Sequence, residues 1–356
     1  MLLRRLSHPG AVAASVLFVV AAALAIPPAH AATPSYVALG DSYSSGVGTR
    51  SYLNDGSTCQ RSVYAYPSLI AAARAYTLNF RACSGATVSD VTKVQLSALS
   101  AGTSYVTISV GGNDAGFTDV LTTCAEPGWL SNCNGAIDKA QAYINNTFPA
   151  SIRTLYASIR AKAPNAKVVV VGYPRIFNGE DCNAFTWFSP SEEARLNQTA
   201  NLLNAKLSTA AAAAGFALAN PTAAFVGHAV CDSPEWLNGL SNPISESFHP
   251  NRSGHASGYT PLVGPKLTGV AVTATAAALA ASRSRSTTLA AKQRSYAAGD
   301  ASIHPETVRA PNLRDARALR AAKRAGVDVN NPRSVDAADA RYSQAQAKAW
   351  VAQHRR

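Results

Sequence analysis

From residue 35 onward, short continuous apolar runs alternate with longer stretches of helical period. SYVAL (residues 35–39), TLNFRAC (77–83), SYVTISV (104–110), KVVVV (167–171) and FALAN (216–220) read as strands. Between them, YAYPSLIAAARA (64–75) reads as a helix with a proline near its start. A long helical stretch is expected from about Ala136 to Ala163, and another from about Ser191 to Ala214. PLVGPKLTGVAVTATAAALAAS (261–282) is expected to close the domain as one helix. Strands that are apolar at every position, rather than at alternate ones, belong in a parallel sheet covered on both faces. The pattern therefore predicts a three-layer α/β/α domain with a central parallel sheet.

The two ends of the chain depart from this pattern. At the start, Arg4 and Arg5 precede an apolar run from Ala11 to Ile26, and Ala29-His30-Ala31 has the small-x-small form of a signal-peptidase site. Residues 1–31 are thus expected to be a signal peptide, and the mature chain to be secreted. The run is too short, and wrongly flanked, for a spanning helix. Beyond residue 282 the composition turns to Arg, Ala and Ser with thin apolar stripes. That predicts a domain over residues 32–282, followed over 283–356 by a basic, partly helical or disordered extension, a mobile appendage rather than a second packed domain.

Charge sharpens this division. Of the net +12, residues 32–282 carry +1 (15 basic, 14 acidic) and residues 283–356 carry +9 (15 basic, 6 acidic). A near-neutral body with a basic tail speaks against a nucleic-acid-binding domain and for a tail that contacts an anionic surface. The six cysteines (Cys59, Cys83, Cys124, Cys133, Cys182 and Cys231) form no C-x-x-C or His/Cys cluster. In an exported chain an even count reads as disulfides, with fifteen connectivities open to spacing alone; neither metal nor cofactor is expected.

Chemistry-bearing residues sit at the ends of the predicted strands. In open parallel sheets, functional groups gather where the carboxyl ends of the strands meet the loops. VALGDSYSSG places Ser42 directly after one strand, between glycines. ISVGGND places Gly112 and Asn113 after another, and RACSGATVSD places Gly85 after a third. Far along the chain, ISESFHPN holds His249. A serine nucleophile needs a base, which histidine supplies near neutral pH. The base needs an orienting acceptor, for which Glu246 stands three residues earlier. A developing oxyanion needs preorganised donors, and the N–H groups of Ser42 and Gly85 and the Asn113 amide are of that kind. Asp41 is expected to stabilise the turn rather than act as catalytic acid. His255 falls where the last helix should begin and is expected to be structural, and His228 matches no motif and is left unassigned.

The blocks GDSYSSG, SGATVSD, GGND and ESFHPN occur in the order and rough spacing of the four blocks of the GDSL, or SGNH, hydrolase family. Across roughly residues 35–280 the chain resembles the secreted three-disulfide actinobacterial lipases and esterases of that family. The resemblance implies a flavodoxin-like fold. It makes Ser42 the nucleophile, His249 the base, and Ser42, Gly85 and Asn113 the oxyanion hole. It also implies the pairs Cys59–Cys83, Cys124–Cys133 and Cys182–Cys231. Two departures stand out: Tyr43 replaces the leucine of the family name, and the usual Asp-x-x-His reads Glu246-Ser-Phe-His249. Since some members use a main-chain carbonyl in place of the acid, both a triad with Glu246 and a Ser–His dyad remain open.

The expected activity is that of a secreted serine ester hydrolase acting on fatty-acyl or other carboxylic esters. The partners expected are an ester substrate of lipid character and no nucleic acid, with the protein a monomer. Two other readings stand beside it: a carbohydrate deacetylase of the same fold, and a non-catalytic envelope-binding protein. The aromatics Phe117, Trp129, Phe185, Trp187 and Phe188 either line an acyl cleft or belong to the core.

Overall fold

The computed structural model describes residues 33–354 except residue 306, together with residues 2 and 10. The expected signal peptide therefore lies almost wholly outside the described residues. Five strands form the sheet: β1 (Ser35–Gly40), β2 (Thr77–Phe80), β3 (Tyr105–Ser109), β4 (Lys167–Val171) and β5 (Ala217–Ala219). All pair in parallel in the order β2-β1-β3-β4-β5, with Val37 opposite both Asn79 and Val106. This is the flavodoxin-like order, in which the direction of winding reverses between β1 and β3. Beyond their first residues the central strands are buried throughout, because helices cover both faces.

The helices of the body are α1 (Ser42–Ser45), α2 (Tyr66–Ala73), α3 (Val88–Lys93), α4 (Phe117–Cys124), α5 (Cys133–Asn146), α6 (Phe148–Lys162), α7 (Pro190–Ala213) and α8 (Thr260–Thr268). Helices α2 and α8 pack together with α9 (Ala276–Ser284), and α8 lies on β3–β5. Helices α3 to α7 pack among themselves as the second layer. Local sequence explains the boundaries. Ser189 and Glu192 close a capping box around Pro190 at the start of α7, and Thr87 and Asp90 close another at α3.

Two expected helices are divided. The stretch from Ala136 to Ala163 is two helices meeting at Thr147, where Pro149 takes a first-turn position that it tolerates only at a helix start. The closing helix is likewise two: Gly269, in the left-handed conformation at φ 82°, terminates α8. The disulfides are Cys59–Cys83, Cys124–Cys133 and Cys182–Cys231, closing loops of 24, 9 and 49 residues.

The extension differs most from expectation. Helix α9 crosses residue 282 without a break. It is followed by α10 (Ser286–Arg294), α11 (Ala297–Asp300), α12 (Ala316–Ala325) and α13 (Pro332–His354). The chain from Thr33 onward clusters as one compact unit, so the extension is packed and not a mobile appendage. Helix α10 lies on the edge strand β2, where Lys292 donates to the Leu78 carbonyl. The Asp300 carboxylate is fully buried between Arg61 (2.7 Å) and Arg81 (2.7 Å), which are themselves inaccessible. Helices α12 and α13 enclose Ala321, Ala322, Val335 and Ala338 against Trp129, with Leu130 and Trp187 at the margin.

Candidate active site

The site forms where the winding reverses, at the carboxyl ends of β1 and β3. Gly40 ends β1 at φ 121°, and a Cβ there would strike the Ser109 main chain, so the two strand ends are in close contact. The buried Gln95 side chain pairs with both the N–H and the C=O of Gly40 (2.7 and 2.9 Å), fixing the strand end. Asp41 then caps α1 by accepting from the Tyr43 N–H (3.1 Å), and Ser42 becomes the first helical residue. Asp41 also accepts from Ser109 Oγ (2.8 Å) and from the Tyr173 hydroxyl. Burial pushes its pKa up to about 6 against the opposing pull of these hydrogen bonds. Asp41 is thus wholly occupied in holding the turn.

His249 reaches Ser42 from the far end of the chain, with Nε2 2.8 Å from Ser42 Oγ. Its Nδ1 lies 2.8 Å from the main-chain carbonyl of Ser247. A carbonyl can only accept, so Nδ1 carries the proton and Nε2 is the free base facing the serine hydroxyl. The turn that permits this is strained: Phe248, between acceptor and base, has φ 60°, where side chains other than glycine are rare. Phe248 is buried against Phe177 and Phe188, its N–H bonds Asn238, and its carbonyl accepts from the Tyr43 hydroxyl (2.8 Å). Tyr43 therefore spends the hydroxyl that leucine would lack on holding the histidine loop.

Glu246 is not the acceptor for His249. Its carboxylate is buried elsewhere, taking a 2.6 Å hydrogen bond from Tyr52 with Arg50 3.5 Å away, and among the described residues no hydrogen bond joins it to His249. Glu246 and Ser247 are adjacent in sequence, yet with Phe248 left-handed it is the Ser247 carbonyl, not the Glu246 side chain, that faces Nδ1. Of the two arrangements the sequence leaves open, the geometry is that of a Ser42–His249 pair with a main-chain carbonyl at Nδ1. Desolvation lowers the pKa of His249 to about 4, with the Ser247 carbonyl pulling the other way. The imidazole is consequently neutral well into the acid range.

The remaining donors lie beside the dyad. Gly85 has φ 83°, and its N–H is engaged by no described residue. Asn113 gives one amide proton to the Ala86 carbonyl (3.0 Å), leaving the second to offer. A cleft of about 750 Å³, including its open mouth, starts at Ser42, Asn113 and His249 and runs between α4, α5 and α7. Its walls are apolar: Phe117, Val120, Leu121, Ile144, Ala200 and Leu203, with Val308 of the extension. Of the other aromatics, Phe188 is core, Trp129 and Trp187 contact α12 and α13, and Phe185 is exposed. His255 is fully buried, accepting from the Tyr66 N–H in the turn that leads into α8, and exposed-edge His228 stacks on Trp236.

Sequence reasoning missed Tyr43 and Tyr173 as supports and Val308 as a wall, and it allowed for a main-chain acceptor without naming Ser247. A main-chain acceptor has no sequence signature; only the oddity of tyrosine after GDS could have pointed to the first. Among the described residues no group of three or more His, Cys, Asp or Glu could hold a metal ion, and no helix is long and apolar enough to cross a membrane.

Comparison with known proteins bears on this geometry. The model of the GDSL-like Lipase/Acylhydrolase family matches residues 38–257. A lipase of Streptomyces rimosus is 42% identical over 266 residues, covering 73% of this chain and 98% of the relative. Lipase 1 of Streptomyces coelicolor is 42% identical over 268 residues with the same coverage. Among solved structures, phospholipase A1 from Streptomyces albidoflavus aligns at TM-score 0.62 and 42% identity, covering 66% of this chain and all of that one. The extracellular lipase of Streptomyces rimosus aligns equally well. With its sheet order, its strand-end serine and these matches, the chain belongs to the GDSL-like lipase/acylhydrolase family and is a carboxylic ester hydrolase.

Proposed function

We propose that this protein is a secreted lipolytic esterase that transfers the acyl group of a fatty ester to Ser42 and then to water. The observation that carries the reading is the 2.8 Å contact between Ser42 Oγ and an unprotonated His249 Nε2 at the head of an apolar cleft. His249 takes the hydroxyl proton as Ser42 attacks the ester carbonyl, and returns it to the leaving alcohol. The N–H groups of Ser42 and Gly85 and the Asn113 amide would receive the tetrahedral oxyanion. The Ser247 carbonyl holds the ring in one tautomer and accepts from the imidazolium that forms. A water activated by the same nitrogen then releases the acid.

The apolar cleft favours a hydrocarbon acyl chain over an acetyl group, in line with relatives that are named lipases and a phospholipase A1. Export is supported by the charged, apolar and small-residue segments at the start of the chain and by the extracellular relative. The basic extension is the part of the molecule suited to meet an anionic envelope or lipid surface. A series of p-nitrophenyl esters from acetyl to palmitoyl, with acetylated sugars alongside, tests the substrate reading. Greater kcat/KM on medium or long acyl chains is expected; a maximum on acetylated sugars would move the protein to the deacetylases.

A further inference from the structure

The cleft wall is completed by a residue outside the match to the family, which ends at residue 257. Val308 is buried, at 6% exposure, and faces the same space as Ser42 and His249. It is held there from both sides. Upstream, Asp300 is anchored to Arg61 and Arg81, and Ile303 is buried against the Cys59–Cys83 disulfide and Ala86. The main chain then crosses Gly85 so closely that a Cβ on that glycine would collide with the His304 carbonyl and Pro305. Downstream, the Arg309 N–H bonds Thr122 Oγ1 (3.1 Å) on α4. Beyond that, α13 is fastened to the loop after α4: Gln346 donates to the carbonyls of Gly128 and Ser131, and Asp339 accepts from the Gly128 N–H.

We propose that Val308 is a specificity-determining residue, through which the C-terminal extension sets the length of acyl chain that the cleft admits. The inference rests on the esterase reading above and names the side chain that bounds its acyl site. The physical reason is that an apolar wall fixed by neighbours on both sides cannot yield to a longer chain without moving Asp300 or Thr122. Each methylene gained or refused in such a pocket changes kcat/KM by about tenfold or more.

The test is the ratio of kcat/KM for p-nitrophenyl dodecanoate to that for the butanoate, in the full-length protein and its Val308→Trp, Val308→Ala and Val308→Ile variants. Val308→Trp should lower the ratio by about tenfold or more, and Val308→Ala should raise it. Val308→Ile, which adds one methylene to the wall, should lower the ratio in the same direction as Val308→Trp but by less. Loss of folding in the tryptophan variant, seen in its melting curve, would leave the alanine variant to carry the decision. A ratio unchanged in Val308→Ala, or equal losses on both esters, would overturn the proposal, because a merely structural residue affects both substrates alike. Turnover of both esters by the parent, lost in Ser42→Ala, checks the esterase reading separately.

Discussion

The histidine loop shows how a single backbone conformation decides which group assists the base. Sequence places Glu246 at a spacing that invites a triad, but Phe248 at φ 60° presents the Ser247 carbonyl to Nδ1, and Tyr52 takes the carboxylate. Ser42 and His249 were legible as candidates because a nucleophile and a base need specific side chains; the residue whose carbonyl faces Nδ1 was not, because every residue has a carbonyl. Two consequences can be measured in one experiment, the pH profile of kcat/KM for the parent and for Glu246→Gln. The amide keeps an oxygen for Tyr52 and leaves the Ser247 contact untouched. The variant should therefore turn over within about threefold of the parent, a difference of about 0.7 kcal/mol. A loss of a hundredfold or more would restore the triad. Desolvation disfavours the imidazolium, so the free enzyme keeps its base until the pH falls toward about 4, and the acid limb in both proteins should lie there instead of near the ordinary histidine value of about 6.5. A limb at the ordinary value would show that the ring is solvated in solution.

At the scale of elements, the strands were readable because burial on both faces demands apolar residues at every position, as in KVVVV of β4. The helices were readable in existence but not in extent: Pro149 and Gly269 each end one helix, and both were read through as interior residues. The site at the β1–β3 reversal follows from strand order, which no single strand announces. Docking of α10 on the edge strand β2, with Asp300 anchored just beyond it, was illegible for another reason. It depends on Asp300 meeting Arg61 and Arg81, residues more than two hundred positions away, at a buried site. Removing one member of a buried ion pair leaves the others uncompensated, at a cost of about 3–5 kcal/mol. Asp300→Ala should accordingly lower the unfolding free energy by that order in denaturant titration. Unchanged stability would mean that α11 does not hold this position in solution.

From Thr33 onward, the sequence divides by charge but the structure does not divide at that boundary. Residues 283–356 carry +9 against +1 for residues 32–282, yet they supply a buried carboxylate, a cover for an edge strand and a wall of the cleft. The thin apolar stripes that suggested a mobile tail consist largely of alanines, including Ala321, Ala322 and Ala338. They are buried because Trp129 and its neighbours lie opposite. Small residues bury well against large ones, and only the partner surface reveals it. Truncation after Ser282, which looks harmless from the positions of the catalytic blocks, would strip Arg81 of its carboxylate partner and open the acyl site.

The central claim is that Ser42 is the nucleophile and that His249 activates it. Labelling the intact protein with a fluorophosphonate ester, followed by peptide mass spectrometry, tests this most directly, because the reagent phosphonylates only an activated serine. One equivalent should add to Ser42, with reaction abolished in Ser42→Ala and slowed by several orders of magnitude in His249→Ala. An adduct on any other serine, or ester hydrolysis that survives in Ser42→Ala, would contradict the account.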